Sequence, residues 1–60
     1  MSNKLNREIK NRYELLAMEW TRKENEGNAD EAQSLKNQLL EIERELGMTA
    51  DEIIASNPKQ

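Results

Sequence analysis

The segment AQSLKNQLLEIEREL, residues 32–46, decides the fold. Ala32, Leu35, Leu39, Ile42 and Leu46 recur in it at alternating steps of three and four, the spacing that lays a continuous apolar seam along one side of a helix. Such a seam needs a second surface, and the stretch before it supplies one. Leu5, Ile9, Tyr13, Leu16 and Trp20 fall within one narrow arc at 100° per residue.

The punctuation between these stripes is specific. Gly27 suits the left-handed conformation that ends a helix, and Asn28 is placed to cap the next, with Glu31 three residues on completing a capping-box pattern. A connection this short forces antiparallel neighbours, which puts Trp20 near Ala32 at the closed end. Gly47 stops the second helix. Thr49 and Glu52 then form a second capping box, and Met48 before the cap with Ile53 four positions into the helix makes a hydrophobic staple. Pro58 disfavours helix at Asn57, so the third helix is short.

The expected architecture is all-α: an antiparallel hairpin of helices at about 3–26 and 29–46, and a short third helix at about 50–56. The whole of 1–60 reads as one small helical domain, with 57–60 as a frayed tail and Ser2 or Asn3 capping the first helix. Dimerisation into a helical bundle is expected, because chains of 60 residues bury only about 60% of their unfolded surface. Ile53 and Ile54 should fold over the open end of the hairpin near Leu5 and Ile9, or insert into a partner.

Composition narrows the function. Hydrophobic residues are 35% of the chain and charged residues another 35%, with no cysteine and no histidine. Disulfides and thiolate ligands are therefore excluded, and the commonest general base is missing. Two thin helices offer little interior in which to tune a carboxylate, so a non-enzymatic protein without metal or other cofactor is expected. Glu41, Glu43, Glu45, Asp51 and Glu52 are dense in sequence, yet alternate positions on a helix diverge and do not converge on an ion. They read as a solvated face, with recognition of a basic protein or mimicry of nucleic acid as the functional alternative. The longest apolar run is four residues, 15–18, too short for a membrane span or secretory signal, so a soluble cytoplasmic protein is expected.

The net charge of −3 is unevenly spread. Residues 1–23 hold six Lys/Arg against three acids, and residues 24–60 hold three against nine. A basic first helix should thus lie against an acidic second one and steer closure weakly, with a basic outer face that meets an anion as the alternative; Glu8 to Arg12 and Glu19 to Lys23 are favourable i,i+4 pairs.

The side of the first helix away from its core stripe holds Arg7, Asn11, Met18 and Arg22, together with Lys4, and Leu15 lies beside them. A Met and a Leu between basic ends form a small candidate contact patch, because Met adapts to irregular surfaces. Leu40 and Ile54 are the apolar residues left over elsewhere. Leu15, Met18, Arg22, Arg7, Asn11, Leu40 and Ile54 are accordingly the candidate partner-binding residues, entering a groove as anchors spaced by helical turns.

Two resemblances bear on this layout. Asn28-Ala29-Asp30-Glu31 followed by Ser34-Leu35 resembles the bend of Rop, a plasmid RNA-binding regulator that is a helical hairpin dimerising into a four-helix bundle. That likeness covers the hairpin alone, without Rop's cysteine and aromatic pattern, and implies RNA binding across the first helices, with Lys4, Asn11 and Arg22 on the outer face. The layout is also similar to the small sporulation-regulator aspartyl-phosphate phosphatases. Where their Ser-Gln-x-Leu-Asp signature would stand, this chain reads Lys36-Asn37-Gln38-Leu39-Leu40.

The leading expectation is a small regulatory protein acting by protein–protein binding, as inhibitor or adaptor of a larger protein or by self-association. An origin in a phage or mobile element would suit such a protein. A Rop-like RNA-binding dimer and a structural assembly module or chaperone are the alternatives.

Overall fold

The computed structural model describes residues 5–56; the expected caps Ser2 and Asn3, the candidate Lys4 and the expected tail at 57–60 lie outside the described residues. Three helices follow one another, α1 (Arg7–Glu26), α2 (Ala29–Leu46) and α3 (Ala50–Ala55), with no strand among the described residues. The two long helices pack as a hairpin and α3 returns to α1.

The first helix starts at Arg7, not near residue 3. Asn6 has extended backbone (φ −133°, ψ 178°), and its side-chain oxygen accepts the Ile9 N–H at 2.8 Å. This satisfies one of the donors that a helix N-terminus leaves open, which fixes the boundary there. Leu5 therefore precedes the helix instead of lying on its stripe, yet it is buried in the core.

Both long helices end as their glycines require. Gly27 (φ 78°) and Gly47 (φ 67°) are left-handed. The N–H of Asn28 reaches Lys23 O at 2.9 Å and that of Gly27 reaches Glu24 O at 3.1 Å; Met48 to Glu43 O and Gly47 to Arg44 O repeat the arrangement. These are Schellman closures, which satisfy the last carbonyls of each helix.

At the start of α2 the expected capping box does not form. Asn28 makes no side-chain cap hydrogen bond, its ψ of 79° lying outside the extended region that a cap favours. Glu31 is drawn elsewhere, since Lys23 Nζ sits 2.9 Å from its carboxylate across the bend. The Thr49 box is complete: Glu52 N–H donates to Thr49 Oγ1 at 3.2 Å, and Thr49 N–H to Glu52 Oε1 at 2.9 Å.

The core gathers at the open end of the hairpin. Leu5, Tyr13, Leu39 and Ile53 form one buried cluster, with Ile9, Leu16, Trp20, Ile42, Leu46 and Met48 packed around it. Ile53 is fully buried, so α3 plugs this end from within the chain, whereas Ile54 stays half exposed. The Lys10 ammonium holds the last turn of α3 by donating to the Ser56 carbonyl.

Tyr13, on the core stripe of α1, is the centre of the core. Its ring is buried and its hydroxyl donates to Glu43 Oε2 on α2 at 2.5 Å. Burial first, then this hydrogen bond and the Glu43 charge, with a further contribution from Asp51, push the phenol well above its usual pKa. Nearer the bend, Lys36 Nζ stands 4.7 Å from the Trp20 ring centroid, a cation–π contact between the helices.

Charge steers the hairpin only weakly. Among the described residues only Lys23 and Glu31 form an ion pair between the two long helices, and the other pairs lie within α1. Glu19 pairs with Arg22 rather than Lys23, and no ion pair joins Glu8 to Arg12. Exposed pairs contribute about 0–1 kcal/mol, so apolar packing decides the register.

Candidate protein-binding surface

Helical geometry alone separates the two faces of α1. At 100° per residue, Ile9, Tyr13, Leu16 and Trp20 point toward α2, while Asn11, Met18 and Arg22 project from the opposite side with Leu15 at its margin. Leu15 is 61% exposed and Met18 66%, the most exposed large hydrophobic residues among those described. None of the described residues covers them.

Leu15, Met18 and Arg22 are brought together in one shallow depression that Glu19 completes. A second depression beside it is lined by Ala17, Met18, Thr21, Arg22 and Asn25. Arg22 is held over this region by Glu19, its Nη2 lying 3.2 Å from Oε2. Thr21 folds back on the helix instead, donating to the Ala17 carbonyl at 3.0 Å.

Arg7 and Asn11 lie further toward the N-terminus of the same helix, both exposed, in a depression shared with Asn6 and Glu8. They extend the surface as a polar shoulder. Leu40 (42% exposed) and Ile54 (50% exposed) sit on α2 and α3, so the seven candidates divide into one surface on α1 and two single residues elsewhere.

Glu19, Thr21 and Asn25 are the contributors that sequence reasoning missed. Their signal was available in spacing: residues at i, i+3, i+4 and i+7 enclose the four-sided hole into which a neighbouring helix inserts a side chain. Leu15, Met18, Glu19 and Arg22 make one such hole, and Met18, Thr21, Arg22 and Asn25 the next.

Among the described residues no group of three His, Cys, Asp or Glu side chains is placed to hold a metal ion, and no helix is long and apolar enough to cross a membrane. Lys23, at the bend, has its pKa raised by the hydrogen bond and charge of Glu31, which makes it a structural cation of the turn. The resemblances to Rop and to the sporulation phosphatases rest on the residues quoted for them, for no family model matches the chain, and no curated protein or solved structure shows significant similarity to it.

Proposed function

We propose that this chain is a non-enzymatic regulatory protein that works by binding another polypeptide through the outer face of α1. The observation that carries the reading is the exposure of Leu15 and Met18, adjacent on one face and covered by none of the described residues. Exposing both costs solubility without adding to the core, and such patches mark contact sites. Met18 supplies an adaptable apolar contact, Leu15 a fixed one, and Arg22 a charged rim that Glu19 orients. The mechanism is occlusion or bridging, with no covalent step.

Affinity capture with the wild-type chain and with Leu15→Glu/Met18→Glu tests this. The same protein should be recovered stoichiometrically by the wild type and lost with the double variant, whose circular dichroism and melting in dilute solution should match the wild type because both positions are exposed. Undiminished capture by the double variant overturns the reading. Binding to RNA that weakens steeply with salt would favour the nucleic-acid alternative, since phosphate contacts release counterions.

A further inference from the structure

We infer that the outer face of α1 is built to pair with the same face of a second copy, antiparallel, about a two-fold axis between Leu16 and Ala17. The inference rests on the protein-binding reading above and names the partner. It starts from a second heptad-like seam on α1, running Glu8, Asn11, Leu15, Met18, Arg22, Asn25 at steps of three and four, on the side opposite the core. Antiparallel pairing in which positions sum to 33 sets Leu15 against the partner copy's Met18 and Met18 against its Leu15. Shifting by a heptad in either direction puts each apolar residue against a polar one.

Charge selects the same arrangement. With the helices antiparallel, Glu19 of one copy flanks Arg12 of the other, twice by symmetry, and Arg22 faces Asn11, a side-chain acceptor. Arg12 forms no ion pair within its own chain among the described residues, so its guanidinium is open to this contact. A parallel pairing would instead oppose Glu14 to Glu19 and Arg7 to Arg12, each twice, four like-charge contacts that count against it. The helix ends agree as well: α1 spans Arg7–Glu26, whose midpoint coincides with the proposed axis, so the two helices overlap along their whole length.

The receiving holes are already shaped. The partner's Leu15 enters the depression lined by Leu15, Met18, Glu19 and Arg22, and its Asn11 enters the one lined by Met18, Thr21, Arg22 and Asn25. Two apolar layers between polar ones fix the register but make a weak interface.

Sedimentation equilibrium from micromolar to about 1 mM protein, with amide chemical shifts followed over the same range, tests the inference at a concentration where weak pairs populate. A monomer–dimer equilibrium is expected, with shift changes centred on Leu15, Met18 and Arg22. Glu19→Arg and Arg12→Glu should each weaken dimerisation about three- to tenfold, and the double charge reversal should restore it, since complementary charge rather than its sign is what the interface needs. Leu15→Glu should abolish it with the circular dichroism unchanged.

A chain that stays monomeric throughout, a dimer whose shifts map to Leu40 and Ile54, or singles that the double reversal does not rescue would each overturn the pairing. The two proposals fail separately: a monomer that still binds a different protein through Leu15 and Met18 refutes self-pairing and leaves the protein-binding reading intact.

Discussion

Ile53 and Ile54 are neighbours of identical chemistry on one six-residue helix, and the fold gives them opposite fates. Ile53 is 0% exposed and Ile54 50%. Truncation to Ala removes three carbon groups at either site, each carrying about 0.8 kcal/mol of transfer free energy when buried. Ile53→Ala forfeits the full amount and leaves a cavity besides, so a loss of about 2–3.5 kcal/mol is expected. Ile54→Ala forfeits about half the transfer term, and the better helix propensity of Ala returns roughly 0.4 kcal/mol, leaving a net loss below about 1 kcal/mol.

A core this small supplies about 3–5 kcal/mol in total, so Ile53→Ala should bring the chain close to its folding midpoint in water. Urea titrations followed by circular dichroism and by Trp20 fluorescence read both effects, with a slope of about 1 kcal/mol per molar expected for a domain of this size. Trp20 packs at the margin of the cluster that Ile53 forms with Leu5, Tyr13 and Leu39. A Trp20 midpoint that falls with Ile53→Ala therefore reports that α3 is part of one cooperative unit. Equal effects of the two truncations, or a Trp20 transition untouched by Ile53→Ala, would refute the assignment of α3 as an internal plug. Ile53→Val, with an expected cost of about 1 kcal/mol, gives the graded control if the Ala variant unfolds.

Three further outcomes follow from the same structure. Because the phenol pKa of Tyr13 is raised in the folded state, chiefly by burial, its stabilising contribution is complete below the ordinary tyrosine pKa of about 10 and declines as pH rises above it. Wild type should thus lose stability relative to Tyr13→Phe above that pH in paired urea titrations, with a limiting slope of about 1.4 kcal/mol per pH unit; parallel curves would contradict it. A Cβ at Gly27 or Gly47 meets no atom within 4 Å, so Gly27→Ala and Gly47→Ala should each cost only the left-handed backbone penalty, about 1–2 kcal/mol in thermal melts, and Asn at either position should cost less. Lys36→Met removes the cation over the Trp20 ring and should shift the Trp20 emission while costing about 0.5–1 kcal/mol, checked by fluorescence and urea titration.

Local signals carried most of this fold into the sequence. Gly27 and Gly47 end helices because the left-handed conformation is cheap only there, and the Thr49 box depends on two residues three apart, so α2 and the start of α3 could be placed to within a residue. Competition between equivalent local choices was not legible. Ser2, Asn3 and Asn6 are all residue types that cap, and Asn6 takes the role where its extended backbone sets its side-chain oxygen on the Ile9 N–H. Asn28 makes no capping bond because its backbone, at ψ 79°, closes the turn with its N–H on Lys23 O, and Glu31 pairs with Lys23 across the bend, a contact that spacing along one helix does not reveal. The central place of Tyr13 has a long-range cause: Ile53 of α3 joins its cluster, and Glu43 on α2 receives its hydroxyl. On the outer face of α1, Leu15 and Met18 could be read as leftovers from the core stripe, but the part of Glu19, Thr21 and Asn25 emerges only when the surface is considered as holes rather than as a row of side chains.

The two faces of α1 are energetically linked, because one helix carries both Tyr13 toward the core and Leu15 away from it. A partner that binds only the folded helix adds stability by mass action, about 1.4 kcal/mol when its free concentration is ten times the dissociation constant. For a domain of this size that increment corresponds to a rise of about 5–10 °C in melting temperature. If copies of the chain pair through this face, the melting temperature of the wild type should climb with protein concentration across the dimerisation range. Leu15→Glu should melt at one temperature at every concentration, close to the dilute wild type, because its exposed side chain leaves the hairpin core untouched. Concentration should also refold Ile53→Ala in part, since pairing restores through α1 some of what the lost core contact removed. A wild-type melting temperature that is flat with concentration, in a sample that sediments as a dimer, would break this linkage: the association would then involve a surface present in the unfolded chain as well.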